Sequence, residues 1–275
     1  MRKLAVVVFV VSALWMVSAS AEEATKLREE ISLPVDYQGR QIQLTGWFEK
    51  PATAGPFPVV IVLHSCSGYD ANMAGGSLPG WVAFLQQQGY ATFKFDSFTA
   101  RGQSEVCASN AVTAGDRAGD VLVAPALLAG WPDVRPDRIA AIGFSHGGGT
   151  AVYVARDHVE LRPLRAQLAA RGGRLMASIG LYPGCGSPDG NPVIVPLLAL
   201  SGGLDDWTPA ARCVALANMP ANRLMTIQVY PGAYHVFDVQ GMRDHYKLGH
   251  MLAYDAAATT DAHVRVQAFL YRHLH

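Results

Sequence analysis

The sequence lacks the short motifs that identify most metal and nucleotide sites. It has no H-E-x-x-H and no C-x-x-C for zinc, no Gly-Lys-Ser/Thr for a phosphate loop, and no G-x-G-x-x-G for a dinucleotide. Three histidines near the C-terminus, His263, His273 and His275, have spacings typical of a solvated face. We therefore expect neither a metal nor a cofactor.

An excess of charge of one sign is also missing. The chain has 22 basic and 22 acidic residues, and no basic stripe or tail is visible. Nucleic acids and anionic membrane surfaces are therefore poor candidate partners. Internal repeats and low-complexity linkers are absent as well. Hydrophobic residues make up 50% of the 275 residues, which suits one α/β domain with a sizeable core.

The first residues of the chain have a composition of their own. Arg2 and Lys3 precede an almost wholly apolar stretch at 4–17, and the sequence ASA at 19–21 offers a small-residue cleavage site. This layout predicts a secretory signal peptide over residues 1–21, cut after Ala21, followed by a domain over 22–275. A membrane anchor is the alternative, but a spanning helix needs about 20 apolar residues. No cysteine stands at the cut, which argues against a lipid anchor.

Residues 137–154 contain the most informative pattern of the chain. An apolar strand, Ile139–Ile142, leads into the sequence GFSHG at 143–147, and an apolar helical pattern follows. G-x-S-x-G between a strand and a helix is typical of a nucleophile elbow, where glycines let backbone pass close to a strained serine. An ordinary helix N-cap is the alternative, but a cap needs no glycine on both sides. Ser145 is therefore the candidate nucleophile.

Strand and helix patterns alternate along the chain, which predicts an α/β fold with a doubly wound, mostly parallel sheet. The predicted strands are Ile42–Phe48 as an edge strand, Val59–Leu63, Tyr90–Phe95, Ile139–Ile142, Leu175–Leu181, Val193–Leu200 and Met225–Tyr230. The predicted helices are Leu78–Gln88, Asp116–Ala129 with a kink or break at Pro125, Pro209–Ala217 and Asp261–Leu274, and Asp157–Arg174 is a surface helix or a small insertion.

Polar residues follow the predicted strands, at the edge where such sheets bind ligands. Ser145, Asp205 and His235 come in the order Ser, Asp, His that α/β-hydrolases use. A serine hydroxyl needs a base with a pKa near neutrality, and imidazole in turn needs an acceptor that fixes its tautomer. Asp206 is adjacent to Asp205, and only one of the two can face the histidine. We favour Asp205, although either carboxylate could instead cap the following helix.

Two backbone amides are predicted to form the oxyanion hole. One is the N–H of His146, the residue after the nucleophile, and the other is the N–H of Cys66, in the loop after the central strand. His64 is expected to have a structural role, as a strand-end histidine that hydrogen-bonds the backbone of its loop.

Six motifs stand in register along most of the chain. They are Leu63-His64-Ser65-Cys66-Ser67-Gly68, Asp96-Ser97-Phe98 with Arg101-Gly102, Gly143-Phe144-Ser145-His146-Gly147-Gly148, Tyr182-Pro183-Gly184-Cys185, Asp205-Asp206-Trp207-Thr208-Pro209 and Tyr234-His235-Val236-Phe237-Asp238. Together they resemble the dienelactone hydrolase family. The resemblance implies a compact α/β-hydrolase without a large lid domain, which hydrolyses small-molecule esters or lactones.

Two positions depart from the family pattern. The founding enzymes use a cysteine nucleophile where Ser145 stands, and they hold a substrate carboxylate with two arginines. Arg101 occupies one of these arginine positions, whereas Val239 stands four residues after His235. The dienelactone substrate is therefore open, and Arg101 either lines the substrate pocket or stabilises its own loop.

The four cysteines can form disulfides if the protein is exported. They allow three pairings. Cys66 and Cys107 follow neighbouring strands, and Cys185 and Cys213 do so on the opposite flank. Pairing within each flank needs no chain crossing the site, so we predict Cys66–Cys107 and Cys185–Cys213. None of the four stands at an elbow, which argues against a catalytic cysteine.

The sequence thus predicts an exported serine hydrolase, periplasmic or secreted, that forms an acyl-enzyme on Ser145. Four aromatic residues flank the strand ends and either line an apolar pocket or pack under the loops, namely Tyr69, Phe98, Tyr182 and Trp207. A peptidase or acyltransferase on the same triad is one alternative, but no extra domain or amine-binding acidic loop is visible. A non-catalytic binding protein of the same fold is the other, and the presence of all three triad candidates argues against it. The oligomeric state is not predicted.

Overall fold

The computed structural model describes residues 28–186 and 189–275, so the predicted signal peptide lies outside the described residues. One eight-stranded sheet forms the centre of this part of the chain. Its strands are β1 (Arg28–Tyr37), β2 (Arg40–Glu49), β3 (Phe57–Leu63), β4 (Ala91–Phe95), β5 (Val134–Phe144), β6 (Leu175–Leu181), β7 (Leu197–Gly202) and β8 (Met225–Tyr230).

The strands lie in the order β1-β2-β4-β3-β5-β6-β7-β8. Every neighbouring pair from β4 to β8 is parallel, and β2 is antiparallel to both of its neighbours. The predicted α/β fold with a mostly parallel sheet is therefore confirmed.

Seven α-helices accompany the strands within the described residues, and the last of them follows the final strand. They are α1 (Tyr69–Gly75), α2 (Leu78–Gln87), α3 (Ala114–Leu128), α4 (His146–Val154), α5 (Arg162–Ala170), α6 (Ala210–Ala217) and α7 (Ala256–Leu274). A small two-stranded hairpin, β9 (His245–Lys247) with β10 (His250–Leu252), stands apart from the main sheet. No helix in residues 28–186 or 189–275 is both long enough and apolar enough to cross a bilayer.

The central strand explains why helices cover both faces of the sheet. All seven residues of β3 are buried, and their side chains alternate between the two faces. Val59 and Ile61 pack into one apolar cluster with α3, α4, α5 and α6, whereas Val60 and Val62 pack into a second cluster with α2 and α7. Because neither face of such a strand tolerates water, the sheet needs a layer of helices on each side.

The prediction that Ile42–Phe48 forms an edge strand is wrong. In the described chain β1 is the outer strand, and it pairs with β2 along its whole length, with Leu33 opposite Leu44. Ile31, Leu33 and Val35 are buried while the residues between them are exposed. Apolar and polar residues alternate in the same way in the sequence of β1, which is typical of a strand with one face open to water.

Three predicted boundaries also change. Helix α3 runs without a break through Pro125, and a capping box between Thr113 and Asp116 closes its N-terminus. Strand β7 begins at Leu197 rather than Val193, since Pro196 has no N–H for the ladder. Helix α7 begins five residues early, where the Asp255 side chain accepts a hydrogen bond from the Ala258 N–H.

Candidate active site

The backbone at Ser145 is strained, as a nucleophile elbow requires. Ser145 joins β5 to α4 with φ 53° and ψ −112°, a conformation that side chains rarely adopt. A Cβ on Gly143 would lie 2.0 Å from the carbonyl oxygen of Gly147, and one on Gly147 would lie 2.4 Å from that of Leu63. Gly143 is therefore needed for the turn to fold back on its own backbone, and Gly147 for it to pass this close to β3.

The three residues proposed from chain order lie within hydrogen-bond distance of one another. The Nδ1 atom of His235 is 2.7 Å from Oδ2 of Asp205, and its Nε2 atom is 2.9 Å from Oγ of Ser145. All three residues are buried. An ionised carboxylate can only accept, so Nδ1 carries the proton and Nε2 accepts the hydrogen bond of the serine hydroxyl. This arrangement leaves Nε2 free to remove the serine proton.

Asp205, not Asp206, is the carboxylate at this histidine. Asp205 also accepts hydrogen bonds from the N–H groups of Trp207 and Thr208, each at 2.9 Å. Burial by itself would raise the pKa of Asp205, but the hydrogen bonds from His235 and Thr208 outweigh it and hold the pKa below its usual value. The side chain of Asp206 is 63% exposed and contacts His250 instead.

The two predicted oxyanion amides stand at the same end of the sheet. His146 is the first residue of α4, where the backbone N–H groups of a helix have no partner within the helix and carry a partial positive charge. Cys66 lies in the loop after β3. The structure pairs it with Cys107 in a disulfide, and its carbonyl accepts a hydrogen bond from the N–H of Val106 at 2.8 Å. A disulfide and a backbone hydrogen bond thus hold this loop.

The structure contains the second predicted disulfide as well, between Cys185 and Cys213. Cys185 follows β6 and Cys213 stands on α6, so this bridge lies on the opposite flank of Ser145. It ties the loop after β6 to the helix that follows the Asp205 loop.

Two cavities meet at Ser145. The first, of about 290 Å³, lies beside the catalytic histidine candidate, and its walls include Ser67, Ser77, Tyr182, His235, Met242 and Lys247. The second, of about 280 Å³, lies beside the helix N-terminus, and its walls include Cys107, His146, Pro183, Cys185, Thr208 and Arg212. Ser145, Cys66 and Trp207 border both. A substrate with its carbonyl at Ser145 therefore finds space in two directions.

Two of the four predicted pocket aromatics line a cavity and two do not. Trp207 and Tyr182 border the first cavity. Tyr69 stacks on Trp47 with ring centroids 4.2 Å apart, and Phe98 is fully buried, with its ring in edge contact with His64. Tyr69 and Phe98 therefore pack under the loops, which corrects their placement as pocket residues.

The expectation that Arg101 lines the pocket is also corrected. Its side chain is fully buried away from both cavities, with nitrogens 2.8 and 2.9 Å from the two carboxylate oxygens of Asp120. It also donates to the carbonyl of Ser97 at 2.7 Å and lies over the Tyr37 ring. Arg101 stabilises its loop, the alternative left open by the sequence.

Sequence reasoning missed the hairpin that closes the first cavity. Lys247 on β9 donates to the hydroxyl of Ser67 at 2.7 Å, although 180 residues separate the two. Strands of three residues have too few positions for a periodic pattern, so no sequence signal could have placed Lys247 at the site.

The Tyr182 side chain also has a role that its sequence motif did not reveal. Its hydroxyl donates to Asp238 at 2.8 Å, and its ring contacts the His235 imidazole with centroids 4.8 Å apart. Burial, together with Asp238, raises the pKa of Tyr182 well above its usual value, so the hydroxyl stays protonated. Tyr182 thus forms one wall behind the imidazole.

Two further histidines near the site are held neutral. His64 donates from Nδ1 to the carbonyl of Ser65 at 2.8 Å, and its Nε2 accepts from the N–H of Ser97 at 3.1 Å, which is the backbone-binding role expected for it. Burial lowers the pKa of His64 well below its usual value. Burial and the neighbouring Arg117 lower the pKa of His146 to about 3.

These two histidines predict a loss of stability in mild acid. Their pKa values are lower in the folded chain than the ordinary 6.5. Their contribution to the free energy of unfolding is therefore fully present above pH 6.5 and is lost progressively as the pH falls below it. Below that pH only the unfolded chain binds a proton at each of these histidines. The free energy of unfolding therefore falls by about 1.4 kcal/mol per pH unit for each histidine.

Urea denaturation between pH 7.5 and 5 checks this prediction by comparing the wild-type chain with His146→Gln. The free energy of unfolding of the variant should fall less steeply, by up to about 1.4 kcal/mol per pH unit. Equal slopes for the two chains would show that His146 takes up its proton in the folded state.

Comparisons with known proteins show the family to which the chain belongs. The dienelactone hydrolase family matches residues 44–274. Among solved structures, a dienelactone hydrolase-like promiscuous phosphotriesterase from metagenomic libraries is similar, with a TM-score of 0.66 and 20% identity over 90% of this chain and 100% of that one. An esterase of Pyrococcus furiosus has a TM-score of 0.60 and 16% identity over 96% of this chain and 98% of that one.

At these identities the two solved structures show the α/β-hydrolase fold alone. A search of curated protein sequences found no match. The family match, by contrast, covers most of the chain. The protein therefore belongs to the dienelactone hydrolase family, and it is a hydrolase that acts on ester bonds.

Proposed function

We propose that this protein is an exported serine hydrolase that cleaves small-molecule esters or lactones through an acyl-enzyme. The observation that carries the proposal is the continuous path of hydrogen bonds from Ser145 through His235 to Asp205, with distances of 2.9 and 2.7 Å. A hydroxyl, an imidazole and a carboxylate in this arrangement can activate the hydroxyl as a nucleophile at neutral pH.

In the first half of the reaction, Oγ of Ser145 forms a bond to the carbonyl carbon and its proton passes to Nε2 of His235. Asp205 accepts the Nδ1 hydrogen bond and stabilises the imidazolium. The carbonyl oxygen becomes an oxyanion, which accepts hydrogen bonds from the N–H groups of Cys66 and His146. The bond to the leaving oxygen then breaks, and the Nε2 proton passes to that oxygen.

In the second half, a water molecule gives a proton to Nε2 of His235 and attacks the acyl carbon. The bond to Oγ breaks, and the same proton returns to Ser145. The carboxylic acid product leaves, and the triad is restored without any cofactor.

The two cavities take the two halves of the substrate. His235 delivers its proton to the leaving oxygen, so the alcohol half lies in the cavity that His235 and Lys247 border. The acyl half then lies in the cavity beside His146 and the two disulfides. In a lactone both halves belong to one ring, which must sit across the shared border at Trp207.

Export is part of the proposal. Disulfides persist in oxidising compartments and are rare in the cytosol, and the structure contains two. Cys66, Cys107 and Cys185 border the cavity beside Ser145. We assign residues 1–21 to a signal peptide and residues 22–275 to the enzyme on the sequence pattern alone.

The alternatives are less well supported. A peptidase or acyltransferase would share the first half-reaction, but membership in the dienelactone hydrolase family favours water and an ester. A non-catalytic binding protein has no need of a strained serine whose hydroxyl is 2.9 Å from an imidazole.

A fluorophosphonate probe tests the proposed nucleophile directly. It forms a covalent adduct only with a serine that a neighbouring base activates. We expect stoichiometric labelling of the peptide that contains Ser145, found by mass spectrometry, and protection by a slowly hydrolysed ester. A panel of nitrophenyl esters and lactones then identifies the substrate. An intact, folded protein that stays unlabelled, or that is labelled on another serine, would contradict the proposal.

A further inference from the structure

A fully buried arginine lies directly behind the proposed oxyanion hole. Arg117 on α3 has no exposed surface. Its Nε donates to the hydroxyl of Ser97 at 3.1 Å, one terminal nitrogen donates to Nδ1 of His146 at 2.9 Å, and the other donates to the carbonyl of His64 at 2.9 Å. The mechanism above makes no use of this guanidinium.

The three partners of Arg117 belong to three different segments at the carboxyl ends of neighbouring strands. His64 follows β3 and stands two residues before Cys66, Ser97 follows β4, and His146 follows Ser145. One rigid fork of donors therefore ties together the two segments that carry the proposed oxyanion N–H groups. The planar guanidinium is suited to this, since its donors have a fixed geometry.

Arg117 also determines the tautomer of His146. A guanidinium only donates, so Nδ1 of His146 must accept and its proton must lie on Nε2. That Nε2–H donates to the carbonyl of Val112 at 3.0 Å. A protonated imidazole could not accept from Arg117, which fits the neutral state of His146. The side chain that follows the nucleophile is thus held at both ring nitrogens.

This arrangement is costly for stability alone. The hydrogen-bond partners of Arg117 are all neutral, and the buried carboxylate of Asp120 on the same helix is bound at both oxygens by Arg101. Burial lowers the pKa of Arg117 to about 9, against the attraction of Asp120 and Asp96 and with repulsion from Arg101, and the group remains charged at neutral pH. Burying a charge with neutral partners costs free energy that a hydrophobic side chain would not cost.

We propose that Arg117 is a positioning residue of the oxyanion hole. It holds the His146 and Cys66 segments at the spacing that the tetrahedral oxyanion needs, and it keeps a positive charge behind the place where negative charge develops. Fixed donors and charges of this kind act on the transition state more than on the bound ester. The inference rests on the proposed function, because it assumes that the ester carbonyl is attacked at Ser145.

The kinetic test compares Arg117→Lys and Arg117→Met with a matched control, Arg101→Lys. The control changes an equally buried arginine of the same cluster that contacts Asp120 and Ser97 but neither His64 nor His146. We expect kcat to fall about 10-fold for Arg117→Lys and about 100-fold for Arg117→Met, with KM within about 2-fold of wild type. The rate of fluorophosphonate labelling should fall in parallel, since that attack also forms an oxyanion.

We expect Arg101→Lys to lower Tm but to leave kcat within about 2-fold of wild type at temperatures where it is folded. If Arg101→Lys lowers kcat as much as the Arg117 variants do, or if the Arg117 variants change only Tm, then Arg117 has a structural role only and the proposal is overturned.

A spectroscopic test needs no variant and so does not depend on whether the variants fold. Nitrogen-15 NMR of the wild-type chain should find the His146 proton on Nε2, with Nδ1 unprotonated, throughout pH 5 to 8. A proton on Nδ1, or titration near the usual histidine pKa, would overturn the inference. Failure of the proposed function has a different signature: wild-type protein with the expected His146 tautomer but no label on Ser145.

Discussion

Replacing Ser145 with alanine is expected to lower kcat for ester hydrolysis by roughly 10⁶-fold, in line with nucleophile removal from other serine hydrolases. Without Oγ there is no atom to form the acyl-enzyme, and His235 loses the group whose proton it removes. The residual rate comes from the oxyanion amides and from substrate binding alone. The measurement is steady-state hydrolysis of nitrophenyl esters by the purified variant, together with the loss of fluorophosphonate labelling.

Ser201→Ala is the matched control for this experiment. Ser201 is a buried serine near the end of β7 in the same sheet, and in residues 28–186 and 189–275 its hydroxyl has no hydrogen-bond partner. Its removal should leave both kcat and labelling within about 2-fold of wild type, since no partner is left unsatisfied. A Ser145→Ala variant with a near-normal kcat would show that another residue is the nucleophile.

Asp205→Asn is expected to lower kcat by roughly 10⁴-fold, as the same change does in another serine triad. The carboxylate holds the Nδ1–H of His235 at 2.7 Å and balances the imidazolium, whereas a neutral amide does neither and permits the wrong tautomer. The fold should survive, because the amide oxygen of asparagine can still accept from the N–H groups of Trp207 and Thr208. The measurement is kcat as a function of pH for the wild-type and variant enzymes.

The neighbouring residue offers the control. Asp206→Asn removes an equal charge one position along the chain, from a side chain that contacts His250 and is 63% exposed. It should change kcat by less than about 2-fold, because an exposed ion pair contributes little. A larger loss of kcat for Asp206→Asn than for Asp205→Asn would show that Asp206, and not Asp205, is the carboxylate of the triad.

Local patterns located the strands and the elbow because burial leaves a direct record in the sequence. The run Val59–Leu63 is apolar at every position since both faces of β3 are covered. The GFSHG sequence predicted the turn at Ser145 because a side chain at position 143 or 147 would collide with backbone. Apolar and polar residues alternate just as clearly in β1, which was not predicted, so the sequence does contain the information that places this strand.

The roles of charged residues were harder to predict. Arg101 matched a family position for binding a substrate carboxylate, yet its guanidinium is bound by Asp120. Arg117 stands three residues before Asp120 on the same helix, and its sequence context did not mark it as a residue of the site. Whether an arginine faces a cavity or a buried carboxylate depends on how α3 docks on the sheet, which its own sequence does not encode.

The sequence by itself predicted the class of fold, the candidate nucleophile, the order of the proposed triad and the disulfide partners, because each follows from local backbone geometry or from adjacency in a parallel sheet. Only the tertiary structure decided between Asp205 and Asp206, placed Tyr69, Phe98 and Arg101 outside the two cavities at Ser145, and placed Lys247 beside Ser67. These outcomes depend on distances of a few ångströms between side chains far apart in the chain. Such distances are set by the packing of whole elements.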